Sequence, residues 1–210
     1  MGVSTCITKG VYNVDRYDLR FNEWYAMPPM LLPRYALGAA IINRTLYVMG
    51  GIKFQDELSY AESFDQKGNA WIRLRPMLNA RSYFASTALA DDLYVFGGSQ
   101  DPSAAENWNA STGSWTSLAP MPTIMRALEA SCVQTGEICV MGWASDDYVV
   151  HVEIFQPWID SWSTRTSMPI PSQVFSFVAY NSRLYILQGP GENTYVYDPR
   201  NSAPALHIFL

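Results

Sequence analysis

The residue types that most often perform acid–base or metal chemistry are scarce and scattered in this chain of 210 residues. Its two histidines, His151 and His207, lie in no Ser/His/Asp arrangement, zinc-ligand spacing or phosphate-binding loop. The acidic stretch from Ser145 to Tyr148 could hold a cation, but a solvated acidic loop is the simpler interpretation. The sequence therefore predicts neither an enzyme nor a metal or cofactor site.

The cysteines indicate the cellular compartment in which the protein resides. Cys6, Cys132 and Cys139 are odd in number and lack metal-ligand spacing. Cys132 and Cys139 fall on predicted neighbouring strands and could face each other, although two small apolar core residues are the simpler interpretation. A reducing compartment suits such a chain, which predicts a cytoplasmic protein. Glycosylation sequons at Asn43 and Asn109 point the other way, but short sequons often arise by chance.

Composition narrows the function classes further. The chain is 49% hydrophobic and 16% charged, with a formal net charge of −5. It has no cluster of Lys and Arg, so the electrostatic signature of a nucleic-acid-binding protein is missing. No apolar run approaches the roughly 18 residues that a membrane span requires. We therefore expect a soluble globular protein that binds neither nucleic acid nor membrane.

The strongest signal is a repeated pattern. The stretch "LYVMGG" (46–51) recurs as "LYVFGG" (93–98), and weaker copies follow as "ICVMGW" (138–143) and "LYILQG" (184–189). The steps between copies are 47, 45 and 46 residues. After each of the first three copies comes a Glu two residues before an aromatic residue, and then a Trp: Glu62, Phe64 and Trp71; Glu106, Trp108 and Trp115; Glu153, Phe155 and Trp162.

Each repeat has the character of four short strands, because Val, Ile, Tyr, Phe and Trp dominate it and turn residues bound its apolar runs. A four-stranded unit of this size cannot bury both faces alone, and radial stacking of such units gives a propeller. After a non-repeat segment at 1–11, we predict a half repeat and four further repeats, the last degenerate: 12–30, 31–77, 78–121, 122–168 and 169–210.

These motifs resemble kelch repeats over roughly residues 12–200: the double glycine after "LYV", the aromatic residue of the third strand and the Trp of the fourth. The resemblance implies an all-β fold, a kelch-type β-propeller of four-stranded antiparallel blades. Kelch rings commonly have about six blades, so about four and a half repeats predict an incomplete propeller. Its end blades would expose apolar sheet faces to water.

Residues that recur at one register in every repeat are expected to serve the scaffold. The paired glycines should permit a positive φ or a close approach at the end of the second strand: Gly50, Gly51, Gly97 and Gly98. The fourth-strand tryptophans should pack blade against blade: Trp24, Trp71, Trp115 and Trp162. One Arg–Glu pair per blade is expected from Arg34, Arg81 and Arg126 with Glu62, Glu106 and Glu153, as a structural pair rather than a ligand site.

Aperiodic residues on one set of loops are the candidates for binding. In antiparallel blades, the link between blades and the loop from the second to the third strand emerge on the same face, and in kelch proteins these loops form a shallow partner-binding bowl. The candidate contacts are Tyr35, Phe54, Ser82, Tyr83, Ser99, Gln100, Trp143 and Gln173. Trp143 replaces a glycine, so it could point into the bowl or plug its blade.

The resemblance also indicates the kind of partner. Where basic members of the family place Arg or Ser, this chain has Ala36, Tyr83, Leu128 and Val174, so an apolar partner is more plausible than an acidic peptide. Resemblance to BTB-kelch adaptors implies substrate recognition for a cullin-RING ubiquitin ligase, although the repeats do not include the BTB and BACK regions that dock the cullin. The alternatives are an actin or cytoskeletal scaffold and, with less support, a propeller enzyme.

Overall fold

The computed structural model describes residues 13–133, 136–144, 149–168, 175–181, 183–188 and 194–198. Within these residues, the regular structure is all β-strand apart from one 3-10 turn at Pro157–Ile159. All strand pairings are antiparallel. The predicted all-β class is confirmed.

The chain begins its described part with a hairpin and then builds a four-stranded sheet. The hairpin, called the half-blade, consists of β1 (Val14–Asp18) and β2 (Glu23–Met27). Blade 1 starts with β3 (Gly38–Ile42) and β4 (Thr45–Met49). A small hairpin of β5 (Ile52–Lys53) and β6 (Asp56–Glu57) follows, and blade 1 ends with β7 (Ala61–Asp65) and β8 (Ala70–Arg73).

Three further sheets repeat this plan. Blade 2 contains β9 (Ala85–Leu89), β10 (Asp92–Phe96), β11 (Ala105–Asn109) and β12 (Ser114–Leu118). Blade 3 contains β13 (Arg126–Cys132), β14 (Ile138–Trp143), β15 (Val150–Gln156) and β16 (Ser161–Met168). Blade 4 contains, in the described residues, β17 (Phe175–Tyr180), β18 (Arg183–Gln188) and β19 (Tyr195–Tyr197).

The blades are stacked as in a propeller. Strand order within each sheet follows chain order, so every connection inside a blade joins neighbouring strands. The first strands of consecutive blades lie beside each other: β3 beside β9, β9 beside β13, and β13 beside β17. The structure thus confirms the expected kelch-type arrangement of an incomplete propeller, with four blades following the half-blade.

Local turn chemistry explains the hairpins. Asn43 and Arg44 link β3 to β4 with φ values of 47° and 68°, so both central residues of this two-residue turn are left-handed. A turn with two positive φ values matches the right-handed twist of the strands it joins, and Asn tolerates that conformation well. Asn43 therefore suits the left-handed backbone that this turn requires.

The double glycines end the second strand of blades 1 and 2. Gly97 and Gly98 follow β10 with φ values of 70° and 125°. A Cβ atom at Gly97 would lie 2.3 Å from Cδ1 of Leu128, so a side chain has no room there. Blade 3 has Trp143 instead of the second glycine, and β14 continues through it, pairing Trp143 with Val150. Losing the left-handed glycine lets the strand run two residues further.

The apolar core lies between blades rather than inside them. One cluster joins Met49 of blade 1 to Leu93 and Trp115 of blade 2. Three equivalent clusters lie between the half-blade and blade 1, between blades 2 and 3, and between blades 3 and 4. Each sheet therefore buries a face only where that face contacts a neighbouring blade.

The fourth-strand tryptophans connect consecutive blades, as expected, in three of four cases. Their indole N–H groups donate to carbonyls of the preceding linker: Trp71 to Pro28 (2.8 Å), Trp115 to Arg75 (3.0 Å) and Trp162 to Ala119 (2.8 Å). Trp24 does not pack between blades as expected, because it is 59% exposed. Within the described residues, no blade precedes the half-blade to cover it.

The two described cysteines do not face each other. Cys139 packs in the cluster between blades 3 and 4, whereas Cys132 packs against the cluster between blades 2 and 3. They therefore lie on opposite faces of one sheet, and both are free thiols. Cys132 donates its S–H to the carbonyl of Ala88 at 2.8 Å. The interpretation as core residues holds.

Candidate partner-binding face

The recurring arginines are buried and serve the scaffold in blades 1 and 2. Arg34 is 3% exposed and donates to the carbonyls of Gly50 (2.9 Å) and Tyr60 (2.8 Å) and to the Glu62 carboxylate. Burial lowers the pKa of Arg34 from its usual value, and the charge of Glu62 opposes that shift. Arg81 makes the same contacts with the carbonyls of Gly97 and Ala104 and with Glu106: 2.6, 3.2 and 2.5 Å.

Blade 3 does not form the expected pair between Arg126 and Glu153. Arg126 is exposed, and buried Met125 occupies the register position of Arg34 and Arg81. Glu153 is fully buried and accepts hydroxyl hydrogen bonds from Thr123 (2.6 Å) and Thr164 (3.0 Å). The sequence expectation is wrong here because Arg126 lies one residue too far along the chain.

The loops at the second-to-third-strand connections and the segments leading into each first strand meet on one face, which we call the loop face. On this face, the segment leading into blade 1 is bonded to the loop of the same blade at Tyr35, whose backbone exchanges two hydrogen bonds with Ile52 at 3.1 and 2.8 Å. This bridge holds the β5–β6 hairpin beside the start of blade 1. Tyr35 itself is half-buried.

A second set of bonds ties the loop of blade 1 to the segment leading into blade 2. Gly51 donates its N–H to the Arg81 carbonyl at 2.9 Å, and Arg81 donates to the Leu58 carbonyl at 3.1 Å. Ser82 donates its hydroxyl to the Glu57 carboxylate. The loop face around blades 1 and 2 is therefore held in one arrangement before any partner arrives, which lowers the ordering cost of binding.

Ser82 lies beneath the surface rather than on it. Its side chain is fully buried, and its hydroxyl lies 3.1 Å from that of Ser99, whose N–H donates to the Ser82 carbonyl at 3.1 Å. Ser99 and the following Gln100 are exposed. The sequence expected Ser82 to contact a partner, whereas the structure places it where it orients the loops that carry exposed residues.

Two aromatic side chains project from this framework. Phe54, at the tip of the β5–β6 hairpin, is 82% exposed, and Tyr83 is 63% exposed. Both have left-handed backbones, with φ values of 59° and 52°. That conformation is uncommon and strained for bulky residues, and such strain collects at binding sites. The Tyr83 N–H donates to the Ala36 carbonyl at 3.2 Å, which fixes this segment against blade 1.

Charge on the loop face is mixed. The Lys53 ammonium lies 5.8 Å from the centroid of the Phe54 ring, within range of a cation–π contact. On the loop of blade 2, hydrogen bonds from Ser103, chiefly from its hydroxyl, lower the pKa of exposed Asp101. Asp101 is therefore ionised at neutral pH.

Trp143 does not point into the bowl. Its side chain is 6% exposed and packs in the cluster between blades 3 and 4. The alternation of side chains along the extended β14 turns it into the sheet interface. Its indole nitrogen is buried and has no hydrogen-bond acceptor among the described residues. Gln173, another candidate, lies outside the described residues.

Sequence reasoning missed Glu57. One of its carboxylate oxygens accepts the Ser82 hydroxyl, and the other is buried without a partner among the described residues. Only its place in the variable loop "IKFQDE" could have marked it, because no other repeat has a Glu at that position. Glu57 links the loops of two blades from a position that no periodic pattern predicts.

Within the described residues, no His, Cys, Asp and Glu side chains form a group of three or more that could hold a metal ion. No helix in this part of the chain has the length and apolarity that a membrane crossing requires.

Comparison with known proteins agrees with the fold. The family model of the Kelch motif matches residues 33–78 and 80–122, which contain blades 1 and 2. Over 99 residues the chain is 28% identical to Kelch-like protein 35 of Mus musculus, covering 46% of this chain and 17% of that relative. Kelch propellers are generally protein-interaction modules. The motif matches and the stacked four-stranded blades show that this chain carries kelch repeats, and its propeller resembles those of kelch-like proteins.

Proposed function

We propose that the loop face around blades 1 and 2 captures a protein partner, with Phe54 and Tyr83 as its apolar anchors. The observation that carries this proposal is that both aromatic side chains are largely exposed on loops fixed by backbone bonds. Exposed aromatic residues on a pre-organised surface are the usual anchors of interfaces. A partner segment with apolar side chains fits them better than an acidic peptide.

The other candidate residues take different parts in this proposal. Tyr35, Ser99 and Gln100 form the rim, where polar groups can meet the partner's backbone. Ser82 supports the loops from beneath, and Trp143 is left out of the contact surface because it is buried. Gln173 stays a predicted contact from the sequence.

The finer role we propose is that of a substrate-recognition propeller for a cullin-RING ubiquitin ligase in the cytoplasm. The similarity to a kelch-like protein supports the adaptor role, and the unpaired thiols of Cys132 and Cys139 suit a reducing compartment. In such a system this propeller binds the substrate, while BTB and BACK regions dock the cullin.

The anchor hypothesis is tested by comparing the wild-type chain with Phe54→Ala and Tyr83→Ala in quantitative pull-downs from cytosol, followed by calorimetric titration of the captured protein. Each variant should weaken binding by about 2 kcal/mol, or roughly 30-fold. Phe21→Ala is the matched control, because Phe21 is 68% exposed in the β1–β2 turn at the opposite end of the strands. Equal weakening by all three variants would count against the loop face.

The adaptor role needs a separate test in cells. Overexpressing the full-length protein should lower the abundance of the captured partner, and inhibiting cullin activation should restore it. A partner whose abundance responds to neither treatment would contradict the adaptor role while leaving the binding face intact. Filament proteins among the captured set would favour the cytoskeletal scaffold instead.

A further inference from the structure

The connection between the third and fourth strands of blade 3 differs from its counterparts in blades 1 and 2. Those two turns are polar, with the sequences "QKGN" (66–69) and "ASTG" (110–113). In blade 3 the connection reads "PWID" (157–160), which we call the blade 3 turn. Its Trp158 and Ile159 are each 60% exposed, and neither belongs to the described core clusters. An aperiodic apolar pair outside the core is a candidate for contact with another molecule.

The blade 3 turn is held in a defined position. Gln156, the last residue of β15, donates its amide to the Glu137 carboxylate at 3.0 Å, which links the turn to the β13–β14 connection. The Trp158 ring lies beside the same connection, since a Cβ atom at Gly136 would be 3.9 Å from its Cζ3. At the other end, the Asp160 carboxylate accepts a backbone N–H of the linker between blades 2 and 3 at 2.9 Å. A turn bonded at both ends lowers the ordering cost of binding.

The distribution of charge along the chain indicates which partner fits this turn. Residues 82–164, which contain blade 2 and most of blade 3, have ten acidic residues and one basic residue, Arg126. The rest of the chain has nine acidic and thirteen basic residues, so formal charges of −9 and +4 make up the whole-chain value of −5. Arg126 begins β13 at the loop face, at the opposite end of the blade from the turn. The turn therefore lies in a strongly acidic part of the molecule, which attracts a basic partner.

Two carboxylates lie close to the apolar pair. Asp160 is exposed and directly follows Ile159, and Glu137 adjoins the glycine beside the Trp158 ring. A Lys or Arg side chain suits this arrangement, because the face of an indole ring attracts cations and the carboxylates add charge attraction. The apolar stem of the same side chain can cover exposed apolar surface. An acidic segment would be repelled by the carboxylates.

We propose that the blade 3 turn is a second protein-binding surface, and that it docks a partner segment in which Lys or Arg stands beside apolar residues. The cation contacts the Trp158 ring and the carboxylates of Glu137 and Asp160, and a neighbouring apolar side chain covers Ile159. The turn follows β15 and the loop face precedes it, so the two surfaces lie at opposite ends of this strand. Both can be occupied at once, and the second does not depend on the first.

The test offers the full chain a bead-bound library of pentapeptides made only from Arg, Lys, Asp, Glu, Leu and Phe, so that segments of either charge compete. The protein carries Phe54→Ala and Tyr83→Ala, which remove the proposed anchors of the loop face. We expect it to select peptides that combine Lys or Arg with Leu or Phe. Adding Trp158→Ala should abolish that selection, and an unchanged melting curve should show that this variant is folded.

Fluorescence anisotropy then measures the affinity of the best selected peptide in solution. Trp158→Ala should weaken binding at least about tenfold. Glu137→Gln and Asp160→Asn should each weaken it about threefold, because each amide keeps the hydrogen-bonding oxygen and removes only the charge. Raising the salt concentration should weaken it too. Phe21→Ala is the matched control, since Phe21 is 68% exposed on the corresponding turn of the half-blade, and it should leave binding unchanged.

Four results would overturn the proposal. The first is a set of selected peptides with no excess of Lys and Arg, and the second is selection that persists after Trp158→Ala. The third is an affinity that neither charge variant changes. The fourth is light scattering that reveals a dimer dissociated by the peptide, since a second copy of the chain would then occupy the blade 3 turn.

Discussion

Replacing Arg81 by methionine gives blade 2 the residue that blade 3 carries naturally at this position, Met125. The substitution removes hydrogen bonds to the carbonyls of Gly97 and Ala104 and the ion pair with Glu106. Methionine is similar in length, so packing changes little while the charge and all donors are lost. The main consequence is a carboxylate that is 1% exposed and has no cation beside it.

The expected loss in the free energy of unfolding is about 3 to 5 kcal/mol, the cost of breaking a buried ion pair by removing one partner. Glu106 keeps the N–H groups of Leu78 and Asn79 at 2.8 and 3.1 Å, which moderates the loss but does not neutralise the charge. Adding Glu106→Gln to Arg81→Met should therefore recover part of the stability, since it removes the buried charge.

Urea unfolding followed by circular dichroism measures both variants, provided that the slope with denaturant stays unchanged. Arg75→Met is the matched control, because Arg75 is exposed and contributes only its carbonyl to Trp115; its effect should stay within about 0.5 kcal/mol. A loss below about 1 kcal/mol for Arg81→Met would refute the reasoning. A double variant less stable than Arg81→Met would refute it too.

Gly97→Val should lower the free energy of unfolding by at least about 2 kcal/mol in the same urea assay, because valine would need a positive φ and would strike Leu128; an unchanged midpoint would contradict the backbone argument. Trp143→Ala should cost about 3 to 5 kcal/mol yet leave partner affinity unchanged in calorimetry, and a stable variant that no longer binds would return Trp143 to the binding face. Burial raises the pKa of the Cys139 thiol, so at pH 8 iodoacetamide should leave it unmodified in the folded chain and alkylate it in urea, as peptide mass spectrometry would show; rapid alkylation without denaturant would argue against its burial.

The repeat pattern was enough to predict the blades, because units of four short strands that cannot bury both faces alone stack radially on their neighbours. Leu93, Ile138 and Leu184 are fully buried as that stacking requires. The failed pair in blade 3 was also visible in principle, since Arg34 lies four residues after Met30 and Arg126 lies five after Met121. A shift of one residue in a strand or its lead segment turns the side chain to the other side.

The candidate site was less predictable because burial on the loop face depends on contacts between loops that share no pattern. Ser82 looks like a surface residue in the sequence, whereas in the structure it is fully buried and donates its hydroxyl to Glu57. Trp143 was ambiguous because nothing in the sequence says that β14 runs through the position where other blades turn. Phe54 and Tyr83 are exposed as expected, and their strained backbones were not foreseen.

The loop face lies across the junction of blades 1 and 2, since Glu57 of one blade holds Ser82 of the next. A partner bound to Phe54 and Tyr83 together would require this junction to be closed, so binding and blade association are thermodynamically linked. A bound partner therefore stabilises the contact between the two blades. It raises the free energy needed to separate them by an amount that grows with the concentration of the partner. By the same linkage, any change that loosens the cluster of Met49 and Leu93 beneath the junction weakens partner binding, although these two residues do not contact the partner.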